Sequence, residues 1–422
     1  MNFNKKVLKN GLRILTVPMK DNPTVTVLVL VEAGSKYEVK ENNGISHFLE
    51  HMCFKGTNKR PSALEITKEL DSIGAQYNAF TGQECTGYYA KADYKNFDKI
   101  LDVVSDMYVD PILPESEIEK EKGVIIEEIN MHEDLPQRKV WDVMFELLYG
   151  DVPVGWSITG PKENIKNAKR ADFIDYRMRH YVSEATTIIV AGKIKEKEVI
   201  EKVKKAFNKI SDRKKEDKKK VAENQKEPQI KIHYKDTDQT HIIVGSRTYN
   251  TYNKYNPIIR VMSAVLSGGM SSRLFQRMRD QLGICYYVRA GNETFTDHGF
   301  FAVSAGVDST RVKEAIKAIL EELKRVATET VSKEELEKVK QYLIGSLHLG
   351  LESSDAVADF YGEQEIFHKE MKNPDDIVKE INAVKAEDIK LMAERIFKNE
   401  GLNMAIVGKF KDDKEFKEIL RF

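Results

Sequence analysis

The sequence predicts an α+β fold in which one domain of about 210 residues occurs twice. Each half of the chain mixes amphipathic helices with consecutive strand-like segments joined by short turns. This pattern favours a mostly antiparallel sheet over a doubly wound parallel one. The halves end alike, since residues 190–195 (VAGKIK) match residues 406–411 (IVGKFK) at a spacing of 216. Three more pairs share this spacing: Ile165 with Ile381, Lys169 with Lys385, and Asp172 with Asp388.

The first element is a predicted hairpin, and hydrophobic periodicity assigns the elements that follow it in the first half. In the hairpin, two short apolar runs flank Asn10-Gly11, a pair that is favoured in two-residue turns. The other predicted strands cover residues 24–31, 76–81, 86–91 and 186–192. The predicted helices cover residues 44–54, 63–73, 97–108, 116–131, 140–148, 165–180 and 196–210.

Residues 212–227 (DRKKEDKKKVAENQKE) are strongly charged and carry few apolar side chains. A basic nucleic-acid patch is one interpretation. Acidic residues interrupt the run and no aromatic side chains accompany it, so we favour a solvated linker. The predicted organisation is an N-terminal domain over residues 1–211, a charged linker over 212–227 and a homologous C-terminal domain over 228–422.

Charge and cysteine content narrow the class of protein. Lysine plus arginine number 67, as do aspartate plus glutamate, so the net charge is zero and no global field attracts nucleic acid or an anionic membrane. No stretch approaches the ~18 apolar residues of a membrane span, and residues 1–6 lack the apolar core of a signal peptide. Cys53, Cys85 and Cys285 are odd in number without paired spacing, which indicates buried thiols in a reducing compartment. We therefore expect a cytoplasmic protein with no nucleic-acid or membrane partner.

One segment has the spacing of a metal site. His47 and His51 are four residues apart, so a helix places both imidazoles on one face, where they can bind one ion. Glu50 lies beside that face and can act near the metal without binding it. Two histidines and one carboxylate hold zinc and leave a position for water, whose proton a nearby glutamate can take. This HxxEH order, the reverse of HExxH, marks one class of zinc hydrolases.

Residues 44–57 (GISHFLEHMCFKGT) resemble the metal helix of the M16 metallopeptidases, a family that includes insulin-degrading enzyme, mitochondrial processing peptidase and small bacterial relatives. The resemblance extends over nearly the whole chain. It implies one zinc ion per chain, with Glu128 as the third ligand. It also implies that Glu121, seven residues before Glu128, is a carboxylate that orients the site.

Glu127 is the rival of Glu128 as a ligand. Helix phase favours Glu128, because Val124, Ile125 and Glu128 are predicted to share an inward face. Manganese and cobalt remain alternatives to zinc at the same ligands.

Residues 77–89 are similar to a strand pair of the same family, in which the edge strand pairs with the backbone of a peptide substrate. The resemblance implies that Asn78, Ala79, Phe80 and Thr81 bind substrate in this way, by β-augmentation. From the residues alone, two ordinary strands joined by a glycine-containing turn are the alternative.

Residues 268–286 resemble the family's LF…R(E/D)…G…Y segment. The resemblance implies that Arg279 and Tyr286 face the zinc site from the other half-chamber and bind the substrate carbonyl or stabilise the oxyanion. The sequence GICYY departs from the common GLAYS, which makes Tyr287 a rival, and the seven-residue spacing favours Tyr286. A surface cation at Arg279 and a core residue at Tyr286 are the alternative.

The predicted function is that of a zinc-dependent metalloendopeptidase in which Glu50 activates water and passes its proton to the leaving amine. Long relatives form a closed clamshell of four such domains, so a chain with two implies half of a chamber and a homodimer with composite active sites. Such a chamber selects unfolded peptides by size. The alternative is a non-catalytic family member, a structural or partner subunit, against which the five retained histidine and glutamate residues argue. A nucleic-acid-binding module rests only on the lysine-rich linker.

Overall fold

The computed structural model describes residues 2–368 and 370–422. Within it the chain forms two compact units, each with its own sheet. The first unit contains residues up to Ile129, Trp156–Lys219 and Leu349–Asn373, and the second contains Asn130–Gly155, Lys220–His348 and Pro374–Phe422.

The first unit is built on a six-stranded sheet. Its strands are β1 (Asn4–Val7), β2 (Arg13–Pro18), β3 (Thr24–Val31), β4 (Gln76–Thr81), β5 (Thr86–Asp93) and β6 (Thr186–Gly192). They lie in the order β1-β2-β6-β3-β5-β4, and every neighbouring pair is antiparallel except β2 with β6. Strand β3 lies inside the sheet and is buried over nearly its whole length, as its continuous apolar sequence predicts.

The helices up to residue 206 follow the predicted order. They are α1 (Ile45–Cys53), α2 (Ala63–Asp71), α3 (Phe97–Val109), α4 (Glu115–Asp134), α5 (Pro136–Tyr149), α6 (Lys162–Asn167), α7 (Arg170–His180) and α8 (Glu196–Ala206). In the part of the chain that the structure describes, no helix combines the length and the apolar character needed to cross a membrane.

Two predictions are wrong in detail. The hairpin does not turn at Asn10-Gly11 alone, because Val7 pairs with Arg13 and the loop spans residues 8–12. The predicted helix over 165–180 is two helices, since Ala168 and Lys169 adopt extended backbone angles between α6 and α7.

The second unit is built on a five-stranded sheet. Its strands are β7 (Gln229–Tyr234), β8 (Gln239–Arg247), β9 (Cys285–Thr294), β10 (Gly299–Asp308) and β11 (Leu402–Gly408), in the order β7-β11-β8-β10-β9. Within this second sheet, β7 and β11 are parallel and the other neighbouring strands are antiparallel. The later helices are α9 (Asn256–Ser267), α10 (Arg273–Phe275), α11 (Val312–Thr328), α12 (Lys333–Leu349), α13 (Ser354–Phe367), α14 (Pro374–Ala383), α15 (Ala386–Ile396) and α16 (Lys414–Lys417).

The predicted duplication is present at the level of single hydrogen bonds. Strands β6 and β11 begin and end 216 residues apart, and so do helices α7 and α15. The backbone N–H of Lys169 donates to Asp172 Oδ2 at 2.7 Å, and that of Lys385 donates to Asp388 Oδ2 at 2.9 Å. These repeated residues cap α7 and α15 in the same way. The α+β class with mostly antiparallel sheets is therefore confirmed.

Each sheet is covered on one face by a helix from the other half of the sequence. Helix α13 packs on β3 and β6 of the first unit, and a side chain at Gly362 would meet Leu30 Cδ1 at 2.8 Å, so glycine permits the close approach. Helix α5 packs on the second sheet through an apolar cluster of Val140, Val143, Met144, Leu148, Ile243, Phe300, Ala302, Ala405 and Val407. We predicted boundaries along the sequence, at 1–211, 212–227 and 228–422. The compact units do not follow the sequence halves at α5 and α13, since each of these helices packs in the unit of the other half.

The charged segment 212–227 contains no helix or strand among its described residues, but ion pairs hold it to the protein. Lys215 Nζ lies 2.7 Å from Glu32 Oε2, and Lys218 Nζ lies 3.3 Å from Glu84 Oε1, a buried carboxylate. These contacts fit the linker interpretation, with part of the segment bound rather than solvated.

The three cysteines are free thiols. Cys53 and Cys85 are buried, and burial raises the pKa of Cys53 to about 11 and that of Cys85 to about 12. Cys285 is only half-buried. The prediction of small buried residues therefore holds for the first two.

Helix α1 begins on a buried carboxylate that comes from the preceding loop. Glu38 Oε2 accepts from the Gly44 backbone N–H at 2.9 Å and from Asn43 Nδ2 at 2.8 Å, and Glu38 Oε1 accepts from the backbone N–H and the hydroxyl of Ser46 at 2.8 and 2.5 Å. Burial raises the pKa of Glu38 to about 7, while these hydrogen bonds act in the opposite direction. The carboxylate takes the place of an N-cap side chain, because Gly44 at the N-cap has none to offer.

We predict that Glu38→Gln destabilises the first unit by about 1–3 kcal/mol. The NH2 group of the glutamine would face the N–H or O–H groups that donate to the Glu38 carboxylate, and these buried donors would lose an acceptor. Urea unfolding followed by circular dichroism measures the shift in midpoint. Glu41→Gln makes the same substitution at an exposed position in the same loop and serves as the control. Equal midpoints for the two variants would contradict the capping role.

Candidate metal centre

Helices α1 and α4 bring three potential ligand atoms together. One atom each from His47, His51 and Glu128 lies within 4.8 Å of the others. Glu128 Oε2 is 3.5 Å from His47 Nε2 and 3.6 Å from His51 Nε2. Among the described residues this is the only group of three or more histidine, cysteine or acidic side chains with that geometry.

Glu121 orients the His51 ring. Its Oε1 lies 2.9 Å from His51 Nδ1, which leaves Nε2 of that ring directed to Glu128. Glu121 Oε2 also lies 2.5 Å from Lys55 Nζ. Burial raises the pKa of the Glu121 carboxyl, but the hydrogen bonds from His51 and Lys55 outweigh it, and the net shift is downward. An ionised carboxylate on the far nitrogen of a histidine is the usual support of a metal ligand.

The same carboxylates affect His51. Burial lowers the pKa of His51, but its hydrogen bond with Glu121 and the charges of Glu50 and Glu128 outweigh burial and raise it overall. The site is therefore electronegative in the absence of a cation.

Glu50 lies on α1 between the two histidines in sequence and is 9% exposed. The hydroxyl of Thr81, at the end of edge strand β4, donates to Glu50 Oε2 at 2.5 Å. Burial raises the pKa of Glu50, and the hydrogen bond from Thr81 opposes that shift. Thr81, expected to bind substrate, thus holds the candidate general base.

The phase of α4 separates the two rival glutamates. Glu128 joins the histidines, whereas Glu127 is exposed. The inward face that we predicted is partly wrong, because Val124 is 51% exposed and only Ile125 of the two apolar residues is buried. The buried positions of α4 are Ile118, Glu121, Ile125 and Ile129.

The four predicted substrate residues lie on an open sheet edge. Strand β4 pairs only with β5, and along it Asn78 and Phe80 are exposed while Ala79 and Thr81 are half-buried. Its outer edge therefore has the form that an extended peptide can join.

Arg279 and Tyr286 lie together in the second unit, not in the unit that holds the histidines. Arg279 belongs to a π-helical turn (Gln276–Gln281), and its Nη1 donates to the carbonyl oxygen of Tyr286 at 3.3 Å. The Tyr286 side chain is 72% exposed, so the alternative of a core residue is wrong. Tyr287 Oη instead lies 3.0 Å from His241 Nδ1 and packs on the sheet. Tyr286 is thus the tyrosine that is accessible beside Arg279.

The donor set fits zinc. Two imidazoles and one carboxylate are the ligands of many catalytic zinc sites, in which the fourth position is left for water or substrate. His47, His51 and Glu128 supply this set on two helices, with Glu121 on the second nitrogen of one ring. Glu38 and Lys55 were missed by the sequence analysis, although Lys55 lies four residues after His51, one helical turn away.

Two protein-family models match most of this chain. A family model described as "Insulinase (Peptidase family M16)" matches residues 13–162, and one described as "Peptidase M16 inactive domain" matches residues 167–343. The chain is 34% identical over 396 residues to a Bacillus subtilis (strain 168) protein named "Uncharacterized zinc protease YmxG", covering 92% of this chain and 94% of that protein.

Two solved structures share the fold. One, described as a protease from Helicobacter pylori, matches with a TM-score of 0.89 and 24% identity over 96% of this chain and 99% of that chain. The other is described as a peptidase M16 inactive domain from Pseudomonas fluorescens. It matches with a TM-score of 0.90 and 14% identity, over 97% of this chain and 99% of that chain. From the two family models and the relative that spans almost its whole length, this chain belongs to peptidase family M16.

Proposed function

We propose that the protein is a zinc-dependent metalloendopeptidase that hydrolyses peptide bonds in unfolded peptides. The observation that carries this proposal is the convergence of His47, His51 and Glu128 within 4.8 Å, with the buried carboxylate of Glu50 on the same helix. Relatives named zinc proteases support the metal and the class of reaction.

In the proposed mechanism His47, His51 and Glu128 hold one zinc ion, which when bound makes water more acidic and polarises a peptide carbonyl. Glu50 takes the proton of the attacking water on its carboxylate and then gives it to the leaving amine. Thr81 holds Glu50 in place, and Glu121 fixes the tautomer of His51.

The open edge of β4 is the proposed substrate site. A peptide that pairs with the main chain of Asn78–Thr81 would be bound without regard to most of its side chains. Only an extended segment can make these hydrogen bonds, which supports unfolded peptides as the substrates.

We further propose a homodimer in which Arg279 of the partner subunit and Tyr286 of the partner subunit assist at the carbonyl. Arginine and tyrosine side chains can donate hydrogen bonds to a developing oxyanion. The exposure of Tyr286 and its contact with Arg279 support a pair that acts on something outside its own unit.

A non-catalytic role is the second candidate. The model that matches residues 167–343 is described as an inactive domain, and the second half of the chain contains no HxxEH sequence. The first half retains His47, Glu50 and His51, which favours the peptidase over the non-catalytic role. Cleavage of a peptide by the purified protein distinguishes the two candidate functions.

We predict that Glu128→Gln lowers zinc affinity by about 10-fold or more, whereas Glu127→Gln leaves it unchanged. The two glutamates are adjacent on α4 and carry the same charge, so the pair controls for the electrostatic effect of the substitution. Zinc content after dialysis against a graded chelator series gives the affinity. Equal loss in both variants would refute Glu128 as a ligand.

We predict that Glu50→Gln lowers the rate of peptide hydrolysis by about 10²–10⁴-fold while the protein keeps its zinc, because the substitution removes proton transfer but no ligand. A quenched, unstructured peptide reports the rate, and elemental analysis reports the metal. The wild-type protein should lose activity in chelator and regain it with added zinc. Wild-type protein that binds zinc and cleaves no such peptide would favour the non-catalytic candidate.

The composite site predicts complementation between two inactive chains. A mixed dimer of Glu50→Gln and Arg279→Ala contains one intact site of two and should recover about half of the wild-type activity. Differently tagged chains allow the mixed dimer to be purified and verified. A dimer of two tagged Glu50→Gln chains is the control, and an inactive mixed dimer would rule out shared sites.

A further inference from the structure

The first unit contains a cleft that the proposed peptidase chemistry does not use. It has a volume of about 530 Å³ and lies where the ends of β2 and β6 meet the first turns of α3 and α8. None of its lining residues is a metal ligand or a member of the proposed substrate edge. Its volume falls within the roughly 300–1,000 Å³ of small-molecule sites.

The walls of this cleft are positively charged, although the chain as a whole has no net charge. Five lysines and two carboxylates line it, giving a formal charge of +3. The lysines are Lys20, Lys95, Lys193, Lys195 and Lys202, and the carboxylates are Asp98 and Glu198.

A single lysine of the cleft forms ion pairs with both carboxylates. Lys202 Nζ lies 2.6 Å from Asp98 Oδ1 and 2.6 Å from Glu198 Oε1. The other four lysines have no ion-pair partner among the residues that the structure describes. Their charges are therefore available to an anion in the cleft.

The floor of the cleft is apolar and partly aromatic. Phe97 and Val199 are buried there, and the half-buried ring of Tyr94 lies beside them. Lys193 Nζ lies 4.5 Å from the centroid of the Tyr94 ring, and Lys202 Nζ lies 5.6 Å from that of Phe97. Aromatic rings and ammonium groups thus lie side by side in the cleft, which suits a ligand with both a flat ring and a negative group.

Two helices of more than two turns also begin at the cleft. Phe97 and Asp98 belong to the first turn of α3, and Glu198 and Val199 to that of α8. Neither helix has a side-chain hydrogen bond from its N-cap residue. The Phe97 N–H donates to the Tyr94 carbonyl oxygen, and Asp98 and Glu198 stand in these first turns, so the lysines rather than the helix ends supply the attraction for an anion.

We propose that this cleft binds a small organic phosphate that carries an aromatic ring. The phosphate lies among the four unpaired lysines, where the formal charge of +3 exceeds its two negative charges. The ring lies against Tyr94 and Phe97. This site is independent of the metal centre, so it stands or fails separately from the proposed peptidase activity.

Isothermal titration of the full chain with phenyl phosphate tests the proposal. We expect saturable binding that weakens with added salt. Three comparison ligands each lack one feature of phenyl phosphate. Phenol has no negative charge, benzoate has one negative charge instead of two, and inorganic phosphate has no aromatic ring. Each should bind at least about 10-fold more weakly than phenyl phosphate, because each loses one part of the recognition.

A matched pair of double variants locates the site. The double variant Lys193→Gln with Lys195→Gln should bind phenyl phosphate at least about 10-fold more weakly than the wild type, because two charge-assisted contacts are lost. Lys197→Gln with Lys205→Gln removes the same charge from exposed positions on α8 outside the cleft and should bind like the wild type. Thermal unfolding of both variants shows whether each is folded.

The proposal is overturned if phenyl phosphate shows no saturable binding at millimolar concentration. It is also overturned if the two double variants lose affinity equally, since binding would then follow net charge. Inorganic phosphate that binds as tightly as phenyl phosphate would likewise overturn it, because the aromatic floor would have no part in recognition.

Discussion

The hydrogen bonds of the Glu38 carboxylate fix the start of α1, and the candidate metal centre depends on that helix. A helix of nine residues has little stability of its own, so its direction is set by tertiary contacts. Glu38 holds its first turn, and Phe48 packs edge-on against Phe173 of α7 at a ring distance of 4.8 Å. With α1 held on both sides, its two histidines can face α4 at the distances that a single ion requires. The buried carboxylate binds Ser46, the residue before His47, and through it holds the part of α1 that carries the histidines.

The exchange of α5 and α13 imposes a second constraint on the chain. Each sheet has one face covered by a helix from the other half of the sequence, so neither half buries its own sheet completely. The Ser354 hydroxyl at the start of α13 lies 2.8 Å from that of Thr24 and 2.9 Å from that of Thr26 on β3. Hydrogen bonds between residues about 330 positions apart require both halves to be present, so we infer that the first unit completes its core only after most of the chain is available.

Local signals account for what the sequence predicts well. The order of strands and helices in the first half follows from periodicity, the duplication from a repeated spacing, and the pairing of His47 with His51 from a four-residue spacing, whereas Glu128 follows from the family resemblance. The failures have local as well as tertiary origins. The break at Ala168 follows from a capping interaction, the exposure of Val124 from tertiary packing, and the roles of Glu38 and Lys55 from side chains that meet only in the folded unit. Helical periodicity does not identify the sheet that a helix covers, so it could not reveal the exchange of α5 and α13.

The strand order of the two sheets relates their candidate functional residues. Apart from β1, the first sheet runs β2-β6-β3-β5-β4 and the second runs β7-β11-β8-β10-β9, so β4 and β9 are equivalent edge strands. Helix α1 lies between β3 and β4 in the chain, and the π-helical turn with Arg279 lies between β8 and β9. The first copy thus carries His47, Glu50 and His51 in the interval where the second carries Arg279, whereas Glu121 and Glu128 lie on α4, after β5. In this interval one copy holds two histidines of the candidate metal centre, and the other holds Arg279 next to the exposed Tyr286. In the proposed shared site the second half contributes no metal ligand, and its edge supplies the arginine and tyrosine donors to the carbonyl oxygen.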